Sequence, residues 1–227
     1  MINIYFAESL ENAAKSALVH VKNNFVIGLG SGSSVTKFVE ALGGSDLNVS
    51  VIPSSLQIQL KAEEKGLRII QPTHIPKIDL DVDGADQIDI NLRLIKGGGG
   101  ALLREKVLMR ASKKVIIIAD ENKFVRHLET PVPLEVLPYA RVAVWETLKQ
   151  LGGNPKLRTF SKGYPYLTEN GNIIFDTDFG VLNDPEGLVE EVNSIPGVAE
   201  CGIFTEQIDL VYKAKRNGRV EMITSKP

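Results

Sequence analysis

Residues 113–120, KKVIIIAD, hold an unbroken apolar run from Val115 to Ala119. A strand of this kind has no polar side to offer water, so both of its faces must be covered. A parallel sheet with helices on each face meets that demand. The first half of the chain repeats the pattern. FVIGLG reads as a short buried strand that enters a glycine-rich turn, followed by an amphipathic helix carrying Val35, Phe38, Val39 and Leu42. NVSVIP, LRII and KIDLDV read as further strands, and LQIQLKAEEKG as a helix stopped by Gly66. A helix over 8–23, apolar at Leu10, Ala14, Ala17, Leu18 and Val21, precedes them all. Strands alternating with helices predict an α/β sheet with right-handed crossovers.

The character changes after about residue 128. TPVPLEVLP reads as a strand whose prolines suit a sheet edge, and YARVAVWETLKQLGG as a helix beginning after Pro138. YLTENGNIIFDTD reads as a hairpin turning at Asn170-Gly171. DPEGLVEEVNSIPG reads as a helix with Asp184 as N-cap and Pro185 at its first position. VAECGIF reads as one more strand, which completes a β-α-β-β-α-β order. DLVYKAK and GRVEMI are late strands able to return to the first sheet. The expected fold is α/β: a Rossmann-like, mainly parallel sheet with an inserted ferredoxin-like (α+β) small domain. Residues 1–128 plus 205–227 would form the Rossmann-like domain and 129–204 the small one.

Composition narrows the function classes. A formal charge of −2 and a pI near 6.0 give no bulk attraction to nucleic acid or anionic membrane. No apolar run approaches the roughly 20 residues a spanning helix needs. The opening MINIYFAESLENAAK lacks the basic cluster and apolar core of a secretory signal. A single cysteine, Cys201, excludes an internal disulfide, so a cytoplasmic location is expected. The three histidines, His20, His74 and His127, fit no metal spacing, and no metal is expected.

Chemistry-bearing residues gather where strands end. Gly28-Leu29-Gly30-Ser31-Gly32-Ser33-Ser34 lies between a strand and a helix, where open N–H groups and the helix dipole favour an anion. It is neither a dinucleotide fingerprint, since Ser33 stands where glycine is needed, nor a P-loop. It reads as a phosphate cradle or as a tight turn that binds nothing. LDVDGADQID places Asp83, Gly84, Ala85 and Asp86 just past a strand, at the sheet edge where ligands bind in open α/β folds. From Asp79 the chain matches an EF-hand loop at first, but Ile90 stands where the bidentate glutamate belongs. A solvated acidic turn is the other reading. In IKGGGGALLREK, Lys96 closes a short strand, Gly97, Gly98 and Gly99 allow close backbone approach, and a helix follows with Leu103, Val107 and Ala111 on one face. By composition alone Glu105 on that helix reads as solvated. Lys123, after the 113–120 strand, reads as facing either the same crevice or water.

GLGSGSSVTKF, DVDGADQID and IKGGGGALLREK, followed in order by IIADENKFV, PVPLEVLPYA, LGG, NGNIIFD and IPGV, resemble the ribose-5-phosphate isomerase type A family over nearly the whole chain. The resemblance implies an aldose-ketose isomerase interconverting D-ribose 5-phosphate and D-ribulose 5-phosphate through a cis-enediolate. It implies Glu105 as catalytic base, with Asp83, Asp86 and Lys96 as further catalytic groups. Ser31, Gly32, Ser33, Ser34, Gly84, Ala85, Gly97, Gly98, Gly99 and Lys123 become substrate and phosphate ligands. It further implies no cofactor and a homodimer or homotetramer. Ser31 and Ser34 replace common threonines, Gln87 a usual glutamate, and Leu103 a frequent threonine. Three other classes share parts of this pattern: a sugar-phosphate sensor, an amino-sugar phosphate deaminase and a nicotinamide-dependent oxidoreductase. The first lacks room for a DNA-reading helix and the last lacks its glycine fingerprint.

Overall fold

The structure, a computed structural model, describes residues 4–74 and 77–225. Its earlier elements are α1 (Ile4–Ala17), β1 (Val26–Leu29), α2 (Gly32–Gly43), β2 (Ser50–Pro53), α3 (Leu56–Glu64), β3 (Arg68–Ile69), β4 (Leu80–Asp83), β5 (Gln87–Ile88), β6 (Leu94–Ile95), α4 (Leu102–Ala111) and β7 (Val115–Asp120). Next come β8 (Val132–Val136), α5 (Arg141–Gln150), β9 (Asn154–Leu157), β10 (Ile173–Asp178), α6 (Pro185–Asn193), β11 (Val198–Cys201), β12 (Ile203–Phe204), β13 (Leu210–Ala214) and β14 (Val220–Thr224). The chain divides into two units: Met1–Ala85 with Arg104–Lys123 and Glu206–Pro227, and Asp86–Leu103 with Phe124–Thr205. Residues 86–103 thus group with the later segment.

The first unit is built on a seven-stranded sheet of order β14-β13-β7-β4-β1-β2-β3. Every pairing is parallel except β13 with β14. The strand read as buried on both sides, β7, lies between β4 and β13 and is fully covered from Val115 to Ala119. Its parallel strands run in the doubly wound order, with a topological switch point between β1 and β4. Period-two alternation decides what each face of these strands meets. Leu29, Leu80 and Val82 pack with Val35, Phe38 and Val39 of α2, each such burial contributing about 1.5–3 kcal/mol. Asp81 and Asp83 therefore turn to the opposite face, where Leu108 of α4 lies close to Gly28. The first helix ends at Ala17, earlier than its apolar spacing suggests, because residues Leu18–His20 tighten into a 3-10 turn.

Asp79 ties the start of this sheet together. Its carboxylate accepts from the Val26 amide at 2.9 Å and from Lys113 Nζ at 2.7 Å. The lysine hydrogen bond, then the amide, hold its pKa below the ordinary aspartate range. A depressed carboxylate stabilises the fold above its unfolded pKa, about 3.9, and loses that contribution as pH falls through the lower folded value. Asp79→Asn should cost about 1 kcal/mol at neutral pH. Urea unfolding across an acid series should show the gap from wild type closing as Asp79 protonates; a constant gap would remove the charge from the account.

The second unit carries a four-stranded antiparallel sheet of order β11-β8-β10-β9. With α5 and α6 this is the ferredoxin-like β-α-β-β-α-β arrangement. Its core is filled by Val132, Leu134 and Val136 of β8 together with Val144, Phe175 and Val192. Asp184 caps α6 through the Gly187 amide at 3.0 Å, with Pro185 opening the helix.

Three expectations need correction here. The strand of the Pro-containing stretch, β8, is central rather than at an edge. Pro133 is tolerated because its carbonyl accepts from Gly202, placing its missing N–H on the side where β11 has already ended. The Asn170-Gly171 turn exists, but its first arm is reduced to one bridge, Leu167 with Ile173, and β10 pairs instead with β9, a strand the sequence pattern does not announce. Finally, VAECGIF is two strands. At Gly202 the chain leaves β11 and enters β12, in a separate three-stranded sheet of order β12-β6-β5. Among the described residues no helix is long and apolar enough to cross a membrane.

Candidate active site

In the first unit the switch point gathers four of the expected elements. The loop leaving β1 and the loop leaving β4 are neighbours, joined by the Gly30 amide donating to the Val82 carbonyl at 3.0 Å. Gly30 must be glycine, since a Cβ there would overlap the Asp83 carboxylate. Asp83 is fully buried, and its Oδ1 accepts from the Gly84 amide at 2.7 Å and the Ser31 amide at 3.3 Å. A Cβ added at Gly84 would come into van der Waals contact with the Ser34 side chain, and Ala85 follows half-buried. The acidic stretch is therefore a folded strand end and not a solvated turn.

Ser31 occupies the N-cap position of α2 but does not cap it. Its hydroxyl donates instead to Glu105 Oε1 in a very short hydrogen bond. Gly32 opens the helix at φ +88°, a conformation that favours glycine, and its amide donates to Gln57 at 3.3 Å. The first-turn amides of Ser33 and Ser34 have no intrahelical acceptor by helix geometry, and an anion is the natural partner there. Lys123 is half-buried and ends the 3-10 turn that follows β7, at the same carboxyl edge of the sheet.

The helix α4 departs most from its reading. Leu103 and Ala111 are only half-covered and Val107 is exposed, whereas Leu102, Glu105, Lys106 and Met109 are buried. Glu105 is 2% exposed, so the solvated reading of this residue fails. Sequence reasoning misses both buried Lys106 and buried Asp81. For Lys106 a signal is present: positions 102, 105, 106 and 109 form a helical stripe that happens to carry two charges.

The remaining residues belong to the second unit. Asp86 Oδ2 accepts from the Gly98 amide at 2.7 Å, tying the acidic loop to the glycine run. Lys96, 3% exposed, follows β6 and holds its ammonium 5.5 Å from the centre of the Phe204 ring. Gly97 and Gly100 take positive φ, and Gly98 and Gly99 are exposed. Asp89, the last carboxylate of the stretch, serves the fold. It accepts from the amides of Asn91 and Arg93 and from Arg93 Nε at 2.7 Å, closing the β5–β6 turn. Gln87 likewise turns away from chemistry and accepts from the amides of Glu129 and Thr130.

A family model described as ribose 5-phosphate isomerase A (phosphoriboisomerase A) matches residues 50–218. The chain belongs to the ribose 5-phosphate isomerase A family. A relative of that name from Archaeoglobus fulgidus is 45% identical over 205 residues, covering 87% of this chain and 90% of its own. A solved D-ribose-5-phosphate isomerase in complex with phospho-erythronic acid superposes with a TM-score of 0.91 at 39% identity, covering 96% of this chain and 98% of that one. The ribose 5-phosphate isomerase A of Neisseria gonorrhoeae gives a TM-score of 0.91 at 33% identity, covering 98% of each chain. The match over residues 50–218 takes in parts of both units.

Proposed function

We propose that this chain interconverts D-ribose 5-phosphate and D-ribulose 5-phosphate through a cis-enediolate, in the non-oxidative pentose phosphate pathway. The observation that carries the reading is the buried Glu105 carboxylate bound to the hydroxyl of Ser31, at the mouth of an uncapped helix N-terminus. A general base and an anion anchor then share one strand-end crevice of the first unit. In the open-chain aldose Glu105 takes the proton from C2; the C2–H electron pair forms the C1–C2 double bond of the enediolate as the C1 carbonyl π pair moves onto O1. The same carboxyl group returns the proton to C1, and the hydroxyl hydrogen at O2 passes to O1 as the C2 carbonyl forms. General base catalysis of this kind is worth about 10²–10⁴-fold.

The serine-loop amides and hydroxyls of Ser31, Gly32, Ser33 and Ser34 are assigned to the phosphate, with Lys123 assisting. Gripping that remote group supplies orientation at C1 and C2. Lys96 and the Gly97–Gly99 backbone are assigned to the developing negative oxygen. Asp83 is assigned to proton transfer in ring opening, and Asp86, with Gly84 and Ala85, to the sugar hydroxyls. A cytoplasmic homodimer or homotetramer working without a cofactor accompanies this reading.

The test is conversion of ribose 5-phosphate followed by the ultraviolet absorbance of the ketose, with ammonia release from glucosamine 6-phosphate assayed beside it. Turnover of the pentose alone is expected; ammonia release in its place would move the chain to the deaminase class. Phospho-erythronic acid carries a planar carboxylate where the enediolate carries two oxygens, so it should compete with the pentose.

A further inference from the structure

The geometry points to Arg158 as a positioning residue that sets the direction of the glycine-run amides for this reaction. The inference rests on the isomerase reading above and lies wholly within the second unit. Arg158 follows β9, and the two carboxylate oxygens of Asp176 on β10 hold one edge of its guanidinium, at 2.9 Å to Nε and 2.5 Å to Nη2. The remaining nitrogen, Nη1, donates to two successive carbonyls, Gly97 O at 2.7 Å and Gly98 O at 3.1 Å. Tyr166, whose ring lies 5.8 Å from the guanidinium carbon, donates its hydroxyl to the next carbonyl, Gly99 O, at 2.8 Å. Burial raises the Tyr166 phenol above its ordinary range, so it stays a donor at any working pH.

Three consecutive glycine carbonyls are therefore fixed by side chains of one sheet and the loop beside it. In a trans peptide the C=O and the following N–H point in opposite directions, and no cis peptide bond occurs among the described residues. Holding Gly97 O aims the Gly98 amide away from the guanidinium, and that amide meets Asp86 at 2.7 Å. Holding Gly98 O aims the Gly99 amide the same way, from an exposed residue. Glycines left to themselves would sample many orientations; here the donor assigned to the enediolate oxygen is aimed before substrate arrives. Lysine cannot replace this arginine, because one ammonium cannot serve a carboxylate and two carbonyls in fixed directions.

The test compares wild type with Arg158→Met, Arg158→Lys and Tyr166→Phe. Arg158→Met should lower kcat about 10- to 50-fold, short of the roughly 10²–10³-fold loss seen when an oxyanion donor is removed outright. KM for ribose 5-phosphate should move less than about threefold, because the phosphate anchor is untouched. Inhibition by phospho-erythronic acid should weaken with kcat/KM, while inhibition by inorganic phosphate stays within about twofold. Arg158→Lys should recover little, and Tyr166→Phe should show the same pattern at smaller amplitude. An unimpaired kcat in folded Arg158→Met, or equal weakening of both inhibitors, overturns the assignment. Should Arg158→Met fail to fold, an unchanged kcat in Tyr166→Phe overturns it instead. Wild-type protein that leaves ribose 5-phosphate unconverted overturns the isomerase reading itself, which separates the two failures.

Discussion

Glu105→Gln should lower ribose 5-phosphate turnover by about 10³-fold or more, toward the upper end of what a general base supplies, while the substrate still binds. Glutamine matches the volume of the buried side chain and keeps an oxygen for the Ser31 hydroxyl, so packing in α4 is preserved. What it lacks is a site basic enough to take a carbon-bound proton. Steady-state kinetics should therefore show a fall in kcat with KM within about threefold, and thermal unfolding close to wild type. Turnover within tenfold of wild type would remove this carboxylate as the proton shuttle and return the choice to Asp83.

Gly30→Ala should be nearly as damaging by a different route. The added methyl would occupy the place of the Asp83 carboxylate. That carboxylate organises the Ser31 and Gly84 amides, so either the aspartate swings out or the serine loop lifts from its seat. Displacement of about 1 Å in such a site costs on the order of 10²-fold, and here KM should rise with the fall in kcat. Overpacking should also remove about 1–3 kcal/mol of stability, readable by urea unfolding. Wild-type kinetics in a folded Gly30→Ala protein would show that the two loops are not coupled as described.

The parallel sheet was legible in the chain because its signals are local: a run such as Val115–Ala119 has one physical solution. The switch-point loops were legible for the same reason, since glycines and acids after a strand end fall at one sheet edge. What stayed hidden depended on partners distant in sequence. Val107 looks like a core residue and Glu105 like a surface one until the helix is laid on the sheet, when the charged stripe faces inward. Pro133 in a central strand depends on where β11 happens to end. Asp81 needs the missing side chain of Gly28 beside it, a coincidence of two strands more than fifty residues apart. Arg158 offered no motif of its own; its role comes from carbonyls near residue 98.

Gly202 gives the second unit a mechanical hinge pin. Its amide donates to Pro133 in the middle of the four-stranded sheet, and its carbonyl accepts from the Lys96 amide. A side chain there would meet both Lys96 O and Pro133 O, so no other residue fits between them. The backbone of Lys96 is thus bolted, through one peptide, to the four-stranded layer. Lengthening the surface turn near Gly163 would leave that register intact, whereas a single residue inserted beside Gly202 would shift Lys96 out of register and should silence the enzyme without replacing any residue assigned to the sugar.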